Sequence, residues 1–166
     1  MLQGSMKVSP TYSPNSRVLL KTTKPPLMFW SKDLAEIDQM VKSSNMVSFA
    51  SSQMFLYFPL DHKEKTKGPL CFENNDFCVG REVTGFLDLG KEFCFLDMPE
   101  CELLTFQFPK ESTFEDLEVR DKEIRKELST EYRDRLKARR ISMVGNQAGS
   151  GLDDLRVELQ YFFGWT

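Results

Sequence analysis

Histidine, the side chain most often used for acid–base catalysis near neutral pH, occurs once in this sequence. His62 lies in the charged segment Asp61-His62-Lys63-Glu64. A nucleophile–histidine–acid triad or a histidine-based metal site would have to use this residue, and its neighbours are typical of solvated surface rather than of a dry pocket. The sequence therefore predicts a protein that is not an enzyme and has neither catalytic residues nor a cofactor.

Four cysteines form two pairs, Cys71 with Cys78 and Cys94 with Cys101, and six residues separate the members of each pair. Zinc knuckles use two to four intervening residues, so this spacing does not predict a metal site. A two-residue hairpin loop would bring each pair within reach of a disulfide. Because the sequence has no secretory signal, we expect a reducing compartment and four free, buried thiols, with a four-cysteine zinc site as the alternative.

A phosphorylation signal lies next to the main basic cluster. The segment Arg139-Arg140-Ile141-Ser142-Met143 resembles the substrate consensus of basophilic kinases, which makes Ser142 the candidate acceptor. The net charge of −3 and a pI near 5.3 give no overall attraction for nucleic acid or for an anionic membrane. We therefore expect no nucleic-acid partner, no membrane, no small-molecule substrate and a cytoplasmic or nuclear location.

The first two thirds of the chain predict mostly strands. Residues 1–16 read as a flexible tail, and an α+β domain is expected over residues 17–144. Within it, apolar residues at helical spacing after Ser31 predict one short early helix, namely Leu34, Ile37, Met40 and Val41. Met46 to Phe58 reads as one long strand or a tight pair. Pro69 to Phe108 reads as a meander, which implies an antiparallel, curled or barrel-like sheet.

The last third predicts two helices. Ser112 and Glu115 have the spacing of a capping box, and the helix is expected to continue to about Arg140. Its narrow apolar stripe consists of Leu117, Ile124, Leu128, Tyr132 and Leu136. Residues 145–166 then read as a glycine-rich link and an apolar helix from Leu152 to Phe163.

The apolar C-terminus carries the functional hypothesis. Left exposed, its side chains would form a patch that soluble monomers rarely show, and the flexible link favours docking on another molecule over packing on the chain's own sheet. The predicted partner-binding residues are Leu155, Leu159, Tyr161, Phe162, Phe163 and Trp165. We therefore expect a non-catalytic interaction or assembly module that binds a protein partner or itself. The alternative is a small-barrel nucleic-acid-binding domain that uses exposed aromatic residues on its sheet.

Overall fold

The part of the chain that the structure describes forms one antiparallel sheet with three helices. The computed structural model describes residues 11–23, 30–58, 77–90, 92–108, 113–145 and 155–164. In these residues the strands are β1 (Thr11–Ser13), β2 (Ser16–Thr23), β3 (Val47–Tyr57), β4 (Phe77–Gly85), β5 (Phe93–Met98), β6 (Cys101–Phe108), β7 (Leu136–Gly145) and β8 (Leu155–Phe163). The helices are α1 (Trp30–Lys42), α2 (Phe114–Glu127) and α3 (Thr130–Arg135). None of these helices is long and apolar enough to cross a membrane.

The sheet is built from two equivalent halves. Its strand order is β1-β6-β8-β7-β3-β4-β2-β5. If each of β1 to β4 is exchanged with its counterpart among β5 to β8 (β1 with β5, β2 with β6, and so on), the order is the same sequence of strands counted from the opposite edge. The registers agree with this exchange. Ser13 at the end of β1 pairs with Cys101 at the start of β6, and in the same way Met98 at the end of β5 pairs with Ser16 at the start of β2. The chain therefore repeats one strand–strand–helix–strand–strand unit about a local two-fold axis.

The axis passes between β3 and β7 at the centre of the sheet. Phe55 pairs with Gly80 in the first half as Arg140 pairs with Gln160 in the second. Across the axis, Phe55 pairs with Ser142 and Tyr57 with Arg140. Phe55 and Arg140 are thus equivalent positions of the two halves, and so are Gly80 and Gln160.

The sheet curls strongly. Pro99 and Glu100 alone join β5 to β6, although six strand spacings separate these strands in the sheet order. Six spacings would cover about 29 Å in a flat sheet, whereas three Cα–Cα steps reach at most about 11 Å. The two ends therefore approach each other, and there the backbone N–H of Glu100 donates to Asn15 Oδ1 at 2.8 Å. No ladder joins β1 to β5 in the described residues, so the sheet is curled but not closed into a barrel.

The curled sheet has two buried faces. The helix face carries α1 and α2, and its main core consists of Leu19, Leu56, Val79, Ile141 and Leu159 from the sheet with Leu34, Ile37, Leu117 and Ile124 from the helices. The opposite, concave face is called the inner face below. Its buried apolar residues are Val18, Leu20, Phe55, Tyr57, Cys78, Met98, Cys101, Ala138 and Phe162.

The early helix and the central strand agree with the sequence predictions. In α1 the predicted apolar positions face the sheet, with Leu34 and Ile37 fully buried. Asp33 lies in the first turn and Lys42 in the last, where each complements the helix dipole. The segment predicted as one strand or a pair is the single strand β3, whose register against β4 shifts between Phe49 and Met54.

The predicted long helix is wrong beyond residue 127. The chain leaves the helix at Leu128, whose backbone is extended, and Ser129 starts α3 by accepting a hydrogen bond from the Tyr132 N–H. From Leu136 the chain is strand β7, because pairing with β3 and β8 satisfies its backbone on both sides. The capping box lies one residue later than predicted, on Thr113 and Asp116. The predicted stripe is nevertheless buried against the sheet, with Tyr132 only partly covered.

The predicted C-terminal helix is also wrong, because this segment forms β8 between β6 and β7. Its side chains alternate between the two buried faces, so that Val157, Leu159, Tyr161 and Phe163 lie on the helix face and Phe162 lies on the inner face. Branched and aromatic side chains favour a strand that pairs on both edges. At the other end of the chain, Thr11–Ser13 of the predicted tail form β1.

Candidate functional site

The centre of the inner face is polar although its surroundings are apolar. Arg140 of β7 is 8% exposed, and its guanidinium lies between two phenyl rings. Its Cζ atom is 3.7 Å from the centroid of Phe55 and 4.6 Å from that of Phe162. A third ring, that of Tyr57, lies at 5.6 Å. These distances correspond to cation–π contacts in a desolvated setting, where such contacts are strongest.

Neutral groups accept the hydrogen bonds of Arg140. Its Nε donates to Gln160 Oε1 at 2.6 Å, and its Nη1 donates to the Tyr57 hydroxyl at 2.7 Å. Gln160 is held in turn by its Nε2, which donates to Glu158 Oε1 at 2.6 Å. Burial raises the pKa of the Tyr57 phenol, and the adjacent Arg140 acts in the opposite direction. Tyr57 therefore stays a neutral phenol beside the guanidinium.

A cleft opens at the seam where the two ends of the sheet approach each other. Its volume is about 840 Å³, and its lining includes Asn15, Arg17, Glu82, Asp97 and Met98. Arg17 and Asp97 pair with each other, with Nε and Oδ1 2.6 Å apart. The cleft is bounded by β2, β4 and β5 and by Ala50 of β3, and Met98 belongs to both the cleft and the inner face.

A second buried arginine, on the helix face, has a charged partner. Arg139 donates through Nη1 to Asp121 of α2, which is 2% exposed. The Tyr161 hydroxyl donates to the other oxygen of Asp121 at 2.7 Å, and Arg125 Nε lies 3.1 Å from Oδ2. Burial, reinforced by the Asp121 carboxylate, raises the pKa of Tyr161 far above its usual range. This network fixes α2 to the sheet.

The residues predicted to bind a partner are mostly inside the molecule. Leu159, Tyr161 and Phe163 are fully buried on the helix face, and Phe162 is buried under Arg140. The side chain of Leu155 and all of Trp165 lie outside the described residues. Four of the six predicted contact residues therefore belong to the chain's own core.

Ser142 lies in β7 and not at a helix end, and it is 3% exposed. Its hydroxyl donates to Gln53 Oε1 at 3.2 Å. Phosphorylation of Ser142 stays a prediction. The structure shows that the residue that would be modified is buried. The neighbouring Arg139 and Arg140, which belong to the basic cluster of the sequence, lie on opposite faces of the sheet because consecutive strand residues alternate.

The cysteines differ from the prediction in one case. Cys78 and Cys101 are buried thiols on the inner face, where burial raises the pKa of the Cys101 thiol against the opposing effect of Arg140. Cys94 is disulfide-bonded, so the prediction of four free thiols is wrong. Cys71 and His62 lie outside the described residues. Within those residues no group of three potential ligands could hold a metal ion.

Sequence reasoning missed the residues that meet at the centre of the inner face. Phe55, Tyr57, Arg140 and Gln160 come from three strands, and two of these strands lay in segments read as helices. The signal that could have found Arg140 is the run Ala138 to Val144, where two arginines and one serine interrupt an apolar segment. Charged residues in such a run are compatible with a strand buried on both faces.

Comparison with known proteins adds a fold likeness. No protein-family model and no curated protein sequence matches the chain. Among solved structures, the EcmrR C-terminal domain matches with a TM-score of 0.64 and 15% identity over 96% of this chain and 98% of that domain. EcmrR in an EcmrR–DNA complex matches with a TM-score of 0.65 and 14% identity, again over 96% of this chain. Our chain spans 58% of that EcmrR chain.

A further match has a known small ligand. SAV2435, solved with bound tetraphenylphosphonium, has a TM-score of 0.51 and 10% identity over 95% of this chain and 94% of its own. At these identities the likeness establishes the fold alone. The fold of a DNA-bound protein overturns two predictions, those of a protein-interaction or assembly module and of partners that exclude nucleic acid.

Proposed function

We propose that this chain is a small-molecule-binding domain of the kind found in transcription regulators. The observation that carries the proposal is the match to nearly the whole EcmrR C-terminal domain, a domain whose parent protein is seen on DNA. In this proposal the chain senses a ligand, and the sensing alters how a regulator acts on DNA. DNA contacts by the regulator as a whole belong to the same proposal.

The inner face and the cleft favour a ligand role. Curling of the sheet creates a concave, largely apolar surface with a few polar groups at its centre, which is the usual composition of small-molecule sites. The cleft of about 840 Å³ lies within the size range of such sites, about 300–1,000 Å³. Met98 connects the cleft to the inner face, so we propose the seam as the entrance.

A thermal-shift screen of the purified chain tests this function. The panel contains lipophilic cations such as tetraphenylphosphonium, apolar carboxylates, and neutral compounds of similar size. A ligand that binds the folded state raises Tm by mass action, by an amount set by its concentration relative to Kd. We expect a saturable rise with at least one class of compound.

Two tryptophan substitutions locate the site. Ala50→Trp places a bulky ring at the exposed wall of the cleft and should abolish the thermal shift. Val119→Trp, on the exposed side of α2 away from the cleft, is the matched control. Absence of a shift with every class, or the same shift in Ala50→Trp as in the control, would refute the proposed site. Capture of sheared DNA by the protein, with and without a ligand that binds, then tests the regulatory part.

A further inference from the structure

Arg140 is a buried charge that the fold itself does not require. The two halves of the chain are equivalent, and the position of Arg140 in the second half is that of Phe55 in the first. The partner position, Gln160 in the second half, is Gly80 in the first. The first half thus forms the same pair of strands with Phe and Gly and with no polar side chain. The polar pair is an addition confined to one half.

Among the residues that the structure describes, none neutralises the charge of Arg140. Of the buried arginines, Arg139 has the carboxylate of Asp121, whereas no carboxylate in the described part of the chain lies within ion-pair distance of Arg140. Its neighbours are an amide oxygen, a phenol and three rings, which stabilise a cation but do not cancel its charge. A buried charge without a counter-charge is costly, and such groups in native proteins normally have a partner.

The guanidinium also has donors to spare. Of the five N–H groups of an arginine, one on Nε and one on Nη1 are used, so that three remain on Nη1 and Nη2. Nη2 of Arg140 has no hydrogen bond within the described residues and is not among their fully buried, unsatisfied side-chain nitrogens. It therefore keeps some contact with solvent, and this end of the guanidinium has N–H groups left for a ligand.

We propose that Arg140 binds the carboxylate of a small monoanionic ligand with an apolar body. This inference rests on the proposed ligand-binding function and names its ligand class. The planar edge of a guanidinium matches a carboxylate in two parallel hydrogen bonds. A single negative charge on the ligand balances the single positive charge of Arg140, whereas a dianionic phosphate would leave one uncompensated negative charge in a buried setting. The half-buried Cys94, Leu96 and Leu103 beside the inner cluster offer the apolar contacts.

The carboxylate of the cleft residue Glu82 does not argue for a cationic ligand instead of an anionic one. Glu82 is partly exposed, so water can solvate its carboxylate. Arg140 is only 8% exposed as a residue, and the need for a partner grows with burial. Between Glu82 and Arg140, the more buried charge decides which ligand charge the inner face favours.

The test is a titration of the full chain with benzoate, followed through the Nε–Hε NMR signals of its arginines. The Arg140 signal is assigned as the one lost in Arg140→Lys. We expect a saturable shift of this signal with a Kd below about 1 mM, and none with benzamide or with inorganic phosphate. Arg140→Met should abolish benzoate binding measured by calorimetry. Arg156→Gln, which removes an exposed arginine of β8, should leave it unchanged.

The stability of the same variants separates a ligand role from a structural one. Met matches the length of the arginine stem without its charge, and it removes a buried charge whose desolvation costs free energy. We expect Arg140→Met to unfold at the same or a higher temperature. A clear fall in Tm would assign Arg140 a structural role and overturn the proposal. Arg140→Lys keeps the charge but loses the planar edge, so it should weaken benzoate binding at least about tenfold.

Each remaining outcome has one meaning. No saturable shift with benzoate, a shift with phosphate alone, or equal benzoate binding by Arg140→Met would overturn the proposal. Binding of tetraphenylphosphonium without benzoate would refute the carboxylate ligand and leave the proposed sensing function standing. If no class of compound binds, both fail.

Discussion

Removing the charge of Asp121 should destabilise the domain severely, although Asp121 lies far from the inner face. The Asp121→Asn substitution preserves size and one acceptor, so Tyr161 can still donate its hydrogen bond. What is lost is the negative charge opposite Arg139, which is itself only 6% exposed. Removing one member of a buried ion pair costs about 3–5 kcal/mol, because the other charge remains buried. For a domain of this size that corresponds to a fall in Tm of about 10 °C.

Urea unfolding followed by circular dichroism measures this cost, because a stability change moves the midpoint and leaves the slope constant. Glu118→Gln, on the exposed side of α2, is the control and should change stability by less than about 0.5 kcal/mol. Replacing both partners, Asp121→Leu with Arg139→Met, should cost less than the sum of the single substitutions. A loss below about 1 kcal/mol for Asp121→Asn, or strict additivity in the double variant, would refute the assignment of this network as the anchor of α2.

Three more predictions follow from the packing. Burial, followed by the Asp121 charge, raises the pKa of Tyr161, so the folded state holds this proton more tightly than the unfolded state. Stability should be intact below about pH 10 and fall above it by about 1.4 kcal/mol per pH unit, with a smaller slope in Tyr161→Phe. A Cβ at Gly80 would lie 2.6 Å from Leu20 Cδ2, so Gly80→Ala should lower the free energy of unfolding in urea by about 1–3 kcal/mol. Gly90→Ala is the control and should leave stability unchanged, because no atom lies within 4 Å of the added Cβ. Truncation after Ser150 removes β8 and its five buried apolar side chains, each of which contributes about 1.5–3 kcal/mol by its burial. Cooperative unfolding should therefore disappear. A folded remainder would contradict the central position of β8.

The sequence predicted correctly those parts of the fold in which the spacing of the apolar residues fits only one type of secondary structure. In α1, Leu34, Ile37 and Val41 fit a helix and do not fit a strand, so the segment allowed no second reading. The stripe from Leu117 to Ile124 is similar, and its burial is confirmed. The antiparallel sheet could be predicted because short strands followed one another without a helix long enough for a crossover.

The two wrong helices have a common cause. In the segment after Leu136, lysine, arginine and alanine have good helix propensities, and Leu136 continued the spacing of the preceding stripe. In the segment ending at Phe163, apolar residues occur both three to four and two positions apart, so both periods fit. Pairing with strands distant in sequence decides such cases, and the pattern within the segment carries no information about those partners.

The central polar group could not be predicted for a related reason. From sequence, Arg140 is one of several basic residues after a charged helix, and solvated surface is the ordinary place for such residues. Its burial follows from the pairing of β7 with β3, which places it opposite Tyr57, and from the curl that covers the inner face. The equivalence of the two halves is visible in the strand order and register but not in the residues. Phe55 and Gly80 occupy the positions of Arg140 and Gln160 in the first half, so the same pairing of strands forms there without this polar pair. The sequence within the segment after Leu136 therefore gave no reason to place Arg140 inside, and only the pairing partners of β7 do so.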